Sequence, residues 1–147
     1  MSPPLFPSPS SPVGAIQCCL PGTPASVAHA RAWLAIWLTA WNVPEDTAAA
    51  ATLVLSELAT NAATHTHSAG PQGRYHVRLN PHPGALLLSV SDAGAPSAPR
   101  PALPSGTLPD PAAETGRGLA LVAHHARRWW SRGTPTGRTI TAELPTP

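Results

Sequence analysis

One helical stretch, residues 56–65, places polar side chains where a hydrophobic core should lie. Successive residues of a helix are about 100° apart, so residues four apart share a face. The apolar stripe of this helix consists of Ala50, Leu53, Val54, Leu58 and Ala62. Glu57, Asn61 and His65 follow one another at intervals of four, inside or at the edge of that stripe. Burying a carboxylate costs free energy unless it is paired with another group or serves in a functional site. A carboxylate one turn from an amide suits a site that holds a water and a metal ion beside a phosphate.

Length favours one globular domain, and composition excludes two common ATP-binding motifs. The 147 residues are enough for a full hydrophobic core. All nine basic residues are Arg, and there is no Lys. A Walker A loop contains an essential Lys, and eukaryotic-type kinases bind ATP with a Lys on a strand. The sequence has no Lys, so both of these ATP-binding motifs are excluded. The formal net charge of +2 is too small to indicate nucleic-acid binding by itself.

The cysteines and the apolar segments predict a cytoplasmic protein that does not insert into a membrane. Cys18 and Cys19 are adjacent, and neighbouring cysteines make poor structural disulfides, so a reducing setting fits best. The first segment, 1–12, lacks the basic region and apolar core of a signal peptide. The most apolar stretch, 32–41, is too short to span a bilayer.

The order of predicted elements favours an α+β fold. We predict a disordered Pro/Ser-rich tail over 1–12 and a single domain over 13–147. The predicted elements are strand 13–20, helix 25–41, a second helix ending near 65, strands around 75–79 and at 85–91, a long Pro-rich segment at 93–115, a helix from about Gly118 to Trp130, and strand 138–144. This order predicts a two-layer α/β sandwich: a mixed, mainly antiparallel sheet with helices on one face.

Three tryptophans repeat every four residues along the first predicted helix. They are Trp33, Trp37 and Trp41. Such a stripe is typical either of a partner-binding face or of core packing, and core packing is the commoner outcome.

A second candidate site lies at the end of the buried strand 85–91. Asp92 there is able to accept a hydrogen bond from an amino group such as that of adenine. Gly94 would let a flat ring approach the backbone closely. The alternative interpretation is an ordinary turn in which the aspartate ends the strand.

A third candidate site lies at residues 114–122, where two glycines precede an amphipathic stretch. Free N–H groups at a helix start favour anions. Arg117, between Gly116 and Gly118, adds a fixed charge and a bidentate donor for phosphate. The alternative interpretation is a plain helix N-terminus.

Taken together and in this order, the three motifs resemble the GHKL (Bergerat-fold) ATP-binding superfamily. Within it the chain is most similar to the small anti-sigma-factor serine kinases of actinobacteria. The details that support this branch are residues 56–62 with His65, and the ending at 137–144. The resemblance covers roughly residues 17–144.

The resemblance implies roles for four residues. Asn61 would bind Mg²⁺, and Glu57 would act as the general base toward a hydroxyl or water. Asp92 would read adenine, with Gly94 beside the ring. ATP and Mg²⁺ are therefore the expected cofactors.

The same resemblance implies a phosphate-binding segment. Gly116 and Gly118, with Arg117 and Leu119, would lie at the phosphates. A lid over residues 97–115 would cover them.

The function expected from this resemblance is that of an ATP-dependent serine/threonine protein kinase in a partner-switching circuit. Its relatives bind a sigma factor and phosphorylate a small antagonist protein, and the sequence is compatible with a homodimer. A nucleotide-binding module without useful catalysis is the alternative. Glu57 favours the kinase, whereas the Pro-rich lid favours the module.

A third alternative is a DNA-associated regulator. It depends on a basic and aromatic end of the third predicted helix. That cluster consists of Arg127, Arg128, Trp129, Trp130 and Arg132. Cations are also favoured at any helix C-terminus, so direct nucleic-acid binding is not expected.

Overall fold

The computed structural model describes residues 15–66, 68–94, 114–134 and 136–146. In chain order the elements are β1 (Ile16–Gly22), α1 (Ser26–Ala40), α2 (Glu45–His65), β2 (Gly70–His82), β3 (Ala85–Asp92), α3 (Glu114–His125), β4 (Arg128–Thr134) and β5 (Gly137–Pro145). None of these helices is long and apolar enough to cross a membrane. The tail predicted over 1–12 lies outside the described residues.

The five strands form one sheet in the order β1-β2-β3-β5-β4. Each of the four pairings is antiparallel, so the parallel part of a mixed sheet is not present among the described strands. The register places Val77 opposite Val90, and Val90 opposite Ile140, in the middle of the sheet. The predicted α+β sandwich with a mainly antiparallel sheet is confirmed.

Alternating side chains give the sheet one apolar and one polar face. The strand residues buried beneath the helices are Tyr75, Val77, Leu79, Leu86, Leu88, Val90, Ile140, Ala142 and Leu144. Helix α2 packs against β1, β2, β3 and β5, and it supplies the centre of the core. On the opposite, open face the Ser89 hydroxyl lies 2.9 Å from that of Thr141, and the Ser91 hydroxyl lies 2.8 Å from that of Thr139. The two faces follow the period-two pattern of an antiparallel sheet that is covered on one side.

Helix α1 lies beside α2 and is attached to the sheet at its start. Its buried stripe consists of Ser26, Val27, Ala30, Leu34 and Leu38. Trp41 is buried, and Trp33 and Trp37 are half-buried against the same core. The core-packing interpretation of the tryptophan stripe is therefore confirmed.

A buried hydroxyl pair joins α1 to β2. The Ser26 hydroxyl lies 2.6 Å from the Tyr75 hydroxyl and also donates to the Thr23 carbonyl at 2.7 Å. Burial raises the pKa of Tyr75, and the hydrogen bond to Ser26 acts in the opposite direction. Tyr75 is fully buried, so its hydroxyl needs this partner.

The variant Tyr75→Phe is expected to lower the free energy of unfolding by about 0.5–1.5 kcal/mol, the net value of one hydrogen bond. Ser26 keeps Thr23 as a partner, so the loss stays within this range. Urea denaturation of both proteins measures it. An unchanged or increased unfolding free energy would show that this hydroxyl pair does not stabilise the fold.

The prediction of a third helix as far as Trp130 is wrong. Helix α3 ends at His125, and Arg128–Thr134 form β4, which pairs with β5. Trp129 is buried opposite Ala142, so adjacent tryptophans lie on opposite faces of a strand. Aromatic residues favour strands, and the weak helix formers Ser131 and Gly133 follow them.

Two basic residues of this segment, Arg127 and Arg128, are engaged within the protein. Glu143 is buried and pairs with Arg128 at 2.9 Å and with Arg127 at 3.6 Å. The Arg128 guanidinium also lies 5.3 Å from the centre of the Trp130 ring. Because Arg128–Thr134 form β4, the helix end on which the DNA-associated alternative depended is not present.

The adjacent cysteines lie in β1 and are free thiols. Cys18 faces the core and Cys19 is exposed, because neighbouring strand residues point to opposite faces. Burial, and secondarily Cys19, raise the pKa of Cys18 to about 11. Cys18 is thus an apolar packing residue in its thiol form.

Candidate functional site

Helix α2 carries two of the predicted site residues on its core margin. Its first turn contains Glu45 and Asp46, whose charges favour a helix start. Leu58 is buried in the core, whereas Glu57 and Asn61 are half-buried beside it. The two polar side chains therefore lie at the edge of the apolar stripe, one turn apart.

The amide oxygen of Asn61 is a buried polar atom beside the core. Asn61 Oδ1 is buried and accepts no hydrogen bond from any residue in the described parts of the chain. Leaving such an acceptor unmatched costs about 1–3 kcal/mol. An amide oxygen is also a ligand that Mg²⁺ accepts. The donor chemistry at Asn61 thus fits the metal ion that the resemblance implies.

The described part of the chain contains no cluster of metal-binding side chains. Within residues 15–66, 68–94, 114–134 and 136–146, no group of three or more His, Cys, Asp or Glu side chains could hold a metal ion. Mg²⁺ commonly binds through one or two protein oxygens plus phosphates and waters, which is the arrangement that Asn61 suits.

Asp92 ends β3 with its carboxylate almost wholly buried, at 1% exposure. Oδ1 accepts the Gly94 N–H at 2.7 Å, and Oδ2 accepts a guanidinium N–H of Arg138 at 3.3 Å. The turn predicted as the alternative interpretation is therefore present. A carboxylate has roughly four lone-pair positions, so both oxygens can accept further donors. The turn and a ligand-binding role are compatible.

Gly94 is required by the backbone at this turn. Its φ is 83°, in the region that residues with a Cβ rarely adopt. The residue is buried and its N–H points to Asp92. A side chain here would strain the backbone.

Hydroxyl groups connect the last turn of α2 to the end of β3. Thr66 donates to the Ala62 carbonyl at 2.7 Å and accepts the Ser68 N–H at 3.0 Å. The Ser68 hydroxyl in turn accepts the Ala93 N–H at 2.8 Å. The two elements that carry Asn61 and Asp92 are thereby fixed relative to each other.

Two glycines allow the backbone at Ser68 to pack closely. A Cβ at Gly22 or at Gly73 would collide with the Ser68 carbonyl oxygen. Close packing at both positions explains why glycine occurs in each strand at this point. It holds the Ser68 hydroxyl where it reaches Ala93.

The phosphate-binding segment predicted at residues 114–122 lies on α3. The described part of the helix runs from Glu114 to His125, so Gly116 and Gly118 lie within its first described turns rather than before it, which corrects the predicted start near Gly118. Arg117 and Leu119 lie in the same turns. The unpaired backbone N–H groups of a helix belong to its first four residues. Helix α3 packs against α2.

The predicted lid lies mostly outside the described residues. Of residues 97–115, the described ones are Glu114 and Thr115, and both belong to α3.

Sequence reasoning gave no role to Arg138, Ser68 or Thr66. Arg138 reaches Asp92 because β3 and β5 pair in a register that sets the two residues opposite each other. That register is a long-range property. The sequence signal for this ion pair was an acidic residue at the end of one predicted strand and an arginine at the start of a later one.

Comparison with known proteins identifies the family. The family model of the histidine kinase-like ATPase domain matches residues 20–144. The chain is similar in fold to a crystal structure of the RsbU and RsbW domains of Rv1364c from Mycobacterium tuberculosis, with a TM-score of 0.69 and 19% sequence identity. The match covers 92% of this chain and 33% of that one, so the present chain spans about a third of that protein's length. No curated protein matches the sequence.

Proposed function

Because the chain belongs to the histidine kinase-like ATPase domain family, we propose that it binds ATP with Mg²⁺ as an anti-sigma-factor-type serine/threonine protein kinase. Its substrate in this proposal is a small antagonist protein in a cytoplasmic partner-switching circuit, and a sigma factor is its second partner. One observation carries the proposal. The buried, unpaired oxygen of Asn61 lies one helical turn from the half-buried carboxylate of Glu57.

Nucleotide recognition in this proposal uses the end of β3 and the start of α3. Asp92 accepts a hydrogen bond from the adenine amino group, and Gly94 leaves room for the ring. The N–H groups at the start of α3 and the side chain of Arg117 attract the phosphates. Family membership and the buried Asp92 carboxylate support these assignments.

Phosphate transfer in this proposal uses Glu57 as the base. The serine or threonine oxygen of the antagonist forms a bond to the γ-phosphorus while the bond to the β,γ-bridging oxygen breaks. The hydroxyl proton passes to the Glu57 carboxylate, and ADP leaves with the bridging oxygen. Mg²⁺, when bound at Asn61, neutralises phosphate charge.

The proposal is tested by titrating the protein with ATP in the presence and absence of Mg²⁺. Incubation with candidate antagonist proteins and mass spectrometry of their serines and threonines then follows. Transfer of one phosphate per antagonist supports the kinase. Tight ATP binding with no transfer to any antagonist supports the binding-module alternative, which the Pro-rich segment 97–115 favours.

Replacing Asn61 by Ala is expected to weaken Mg·ATP binding about five- to tenfold, with little change for ATP in EDTA. The amide oxygen is a metal ligand in this proposal, so its loss matters only when the metal is present. Calorimetry under both conditions measures the difference. Thr60→Ala, an exposed neighbour on α2, is the matched control. Equal losses with and without Mg²⁺ would assign Asn61 a purely structural role.

A further inference from the structure

Arg138 is a largely buried cation beside Asp92, at the proposed base site. It lies directly opposite Asp92 in the β3–β5 pairing, on the face covered by the helices. One terminal nitrogen donates to Asp92 Oδ2 at 3.3 Å, and the side chain is 15% exposed. Its Nε is buried and has no hydrogen-bond partner among the described residues. The guanidinium therefore has donor capacity that the described protein groups leave unused.

The unused capacity lies beside the atom that is proposed to read the base. A guanidinium offers several N–H donors in one plane and no acceptor, whereas a carboxylate only accepts. Asp92 Oδ1 accepts the Gly94 N–H and Oδ2 accepts Arg138, so Nε is the donor of this buried pair that the described residues leave without a partner. A planar ligand edge that both donates and accepts would match the carboxylate and the guanidinium together.

Two purine bases have such an edge. Adenine presents an amino donor beside the N1 acceptor, and guanine presents the O6 acceptor beside an N1 donor. A carboxylate alone would suit the adenine amino group and repel guanine O6. A carboxylate with a guanidinium beside it offers the complement of either base.

We propose that Arg138 makes the base site accept guanine as well as adenine, so that the protein binds both ATP and GTP. This inference rests on the proposed nucleotide-binding function. Arg138 is then the residue that determines base specificity, and Asp92 alone would give an adenine-selective site.

The test compares the affinities for ATP and GTP, each with equal Mg²⁺, by calorimetry. The wild-type protein is expected to prefer ATP by less than about tenfold. Arg138→Met keeps the apolar stem but removes every donor, and it is expected to raise the preference for ATP by about tenfold or more, through a selective loss of GTP affinity. Arg132→Met is the matched control, because Arg132 is exposed on β4 opposite Thr139, on the open face of the sheet. Its ATP-to-GTP ratio should equal that of the wild type.

The outcomes separate the two levels of the proposal. Tight ATP binding with exclusion of GTP by the wild type overturns the role of Arg138 and leaves the ATP-binding function intact. Equal losses of ATP and GTP affinity in Arg138→Met also overturn it, because they show that Arg138 only supports Asp92. Failure of the wild type to bind either triphosphate overturns the proposed function and this inference together.

A second variant covers the case in which Arg138→Met does not fold. Arg138→Lys keeps a cation beside Asp92, but all its N–H donors belong to one nitrogen at the carboxylate, so no planar set of donors remains for the base. It is expected to retain ATP affinity within about threefold and to lose GTP affinity about tenfold. An unchanged ATP-to-GTP ratio in Arg138→Lys would refute the specificity role.

Discussion

Replacing Glu57 by Gln is expected to lower phosphate transfer about 10²–10⁴-fold, the usual contribution of a general base. Affinity for Mg·ATP should change less than about twofold, because the base acts on the attacking hydroxyl rather than on the nucleotide. Glu57 is half-buried on α2, and Gln has nearly the same shape, so folding should be preserved. Phosphorylation of the antagonist by mass spectrometry and ATP affinity by calorimetry are measured on the same preparations.

Glu45→Gln is the matched control for this prediction. It removes the same charge from the same helix, but at the exposed first turn. Its phosphate transfer should stay close to that of the wild type. If Glu57→Gln loses ATP affinity as strongly as turnover, Glu57 maintains the pocket and is not the base. If it transfers phosphate normally, another group accepts the proton.

The variant Asp92→Asn is expected to lower ATP affinity about 10–100-fold. The adenine amino group would lose a hydrogen bond to a charged acceptor, and the new amide would bring a donor that has no acceptor. Gly94 holds Oδ1, so the new amide nitrogen would replace Oδ2 and point toward Arg138 and the base. A donor would then face both the guanidinium and the adenine amino group. Calorimetry with ATP measures the loss.

Two further variants make the Asp92 result specific. Ser91→Ala changes the preceding residue of β3 on the open face, where its hydroxyl contacts Thr139, and should leave ATP affinity unchanged. Asp92→Asn also removes the ion-pair partner of Arg138. The melting temperature of this variant must therefore be measured as well. Wild-type affinity in a folded Asp92→Asn protein would remove Asp92 from the base site.

Local sequence patterns predicted most of the fold. The alternation of Tyr75, Val77 and Leu79 gave the buried face of β2, and four-residue spacing gave the helices. Strand β4 was missed because Trp129 and Trp130 follow directly on a helical pattern. Their placement depends on pairing with β5, which is a contact between distant segments.

The candidate site shows the same division between local and long-range information. Glu57 and Asn61 could be found because their spacing on one helix is a local property. The ion pair of Asp92 with Arg138 and the hydroxyl contact of Ser68 with Ala93 join residues separated by 46 and 25 positions. Such contacts follow from strand register and loop packing, which a single sequence does not specify.

The order of the described strands leaves β1 and β4 at the two borders of the sheet, the positions at which backbone groups can pair with strands of other molecules. On β1, Pro21 has no N–H to offer, and the register shifts between Pro21 and Gly22. On β4, Arg132 is exposed, so a second copy of this strand added at the border would bring like charges together. Both described borders thus carry a feature that disfavours pairing of one folded molecule with another through its sheet edge.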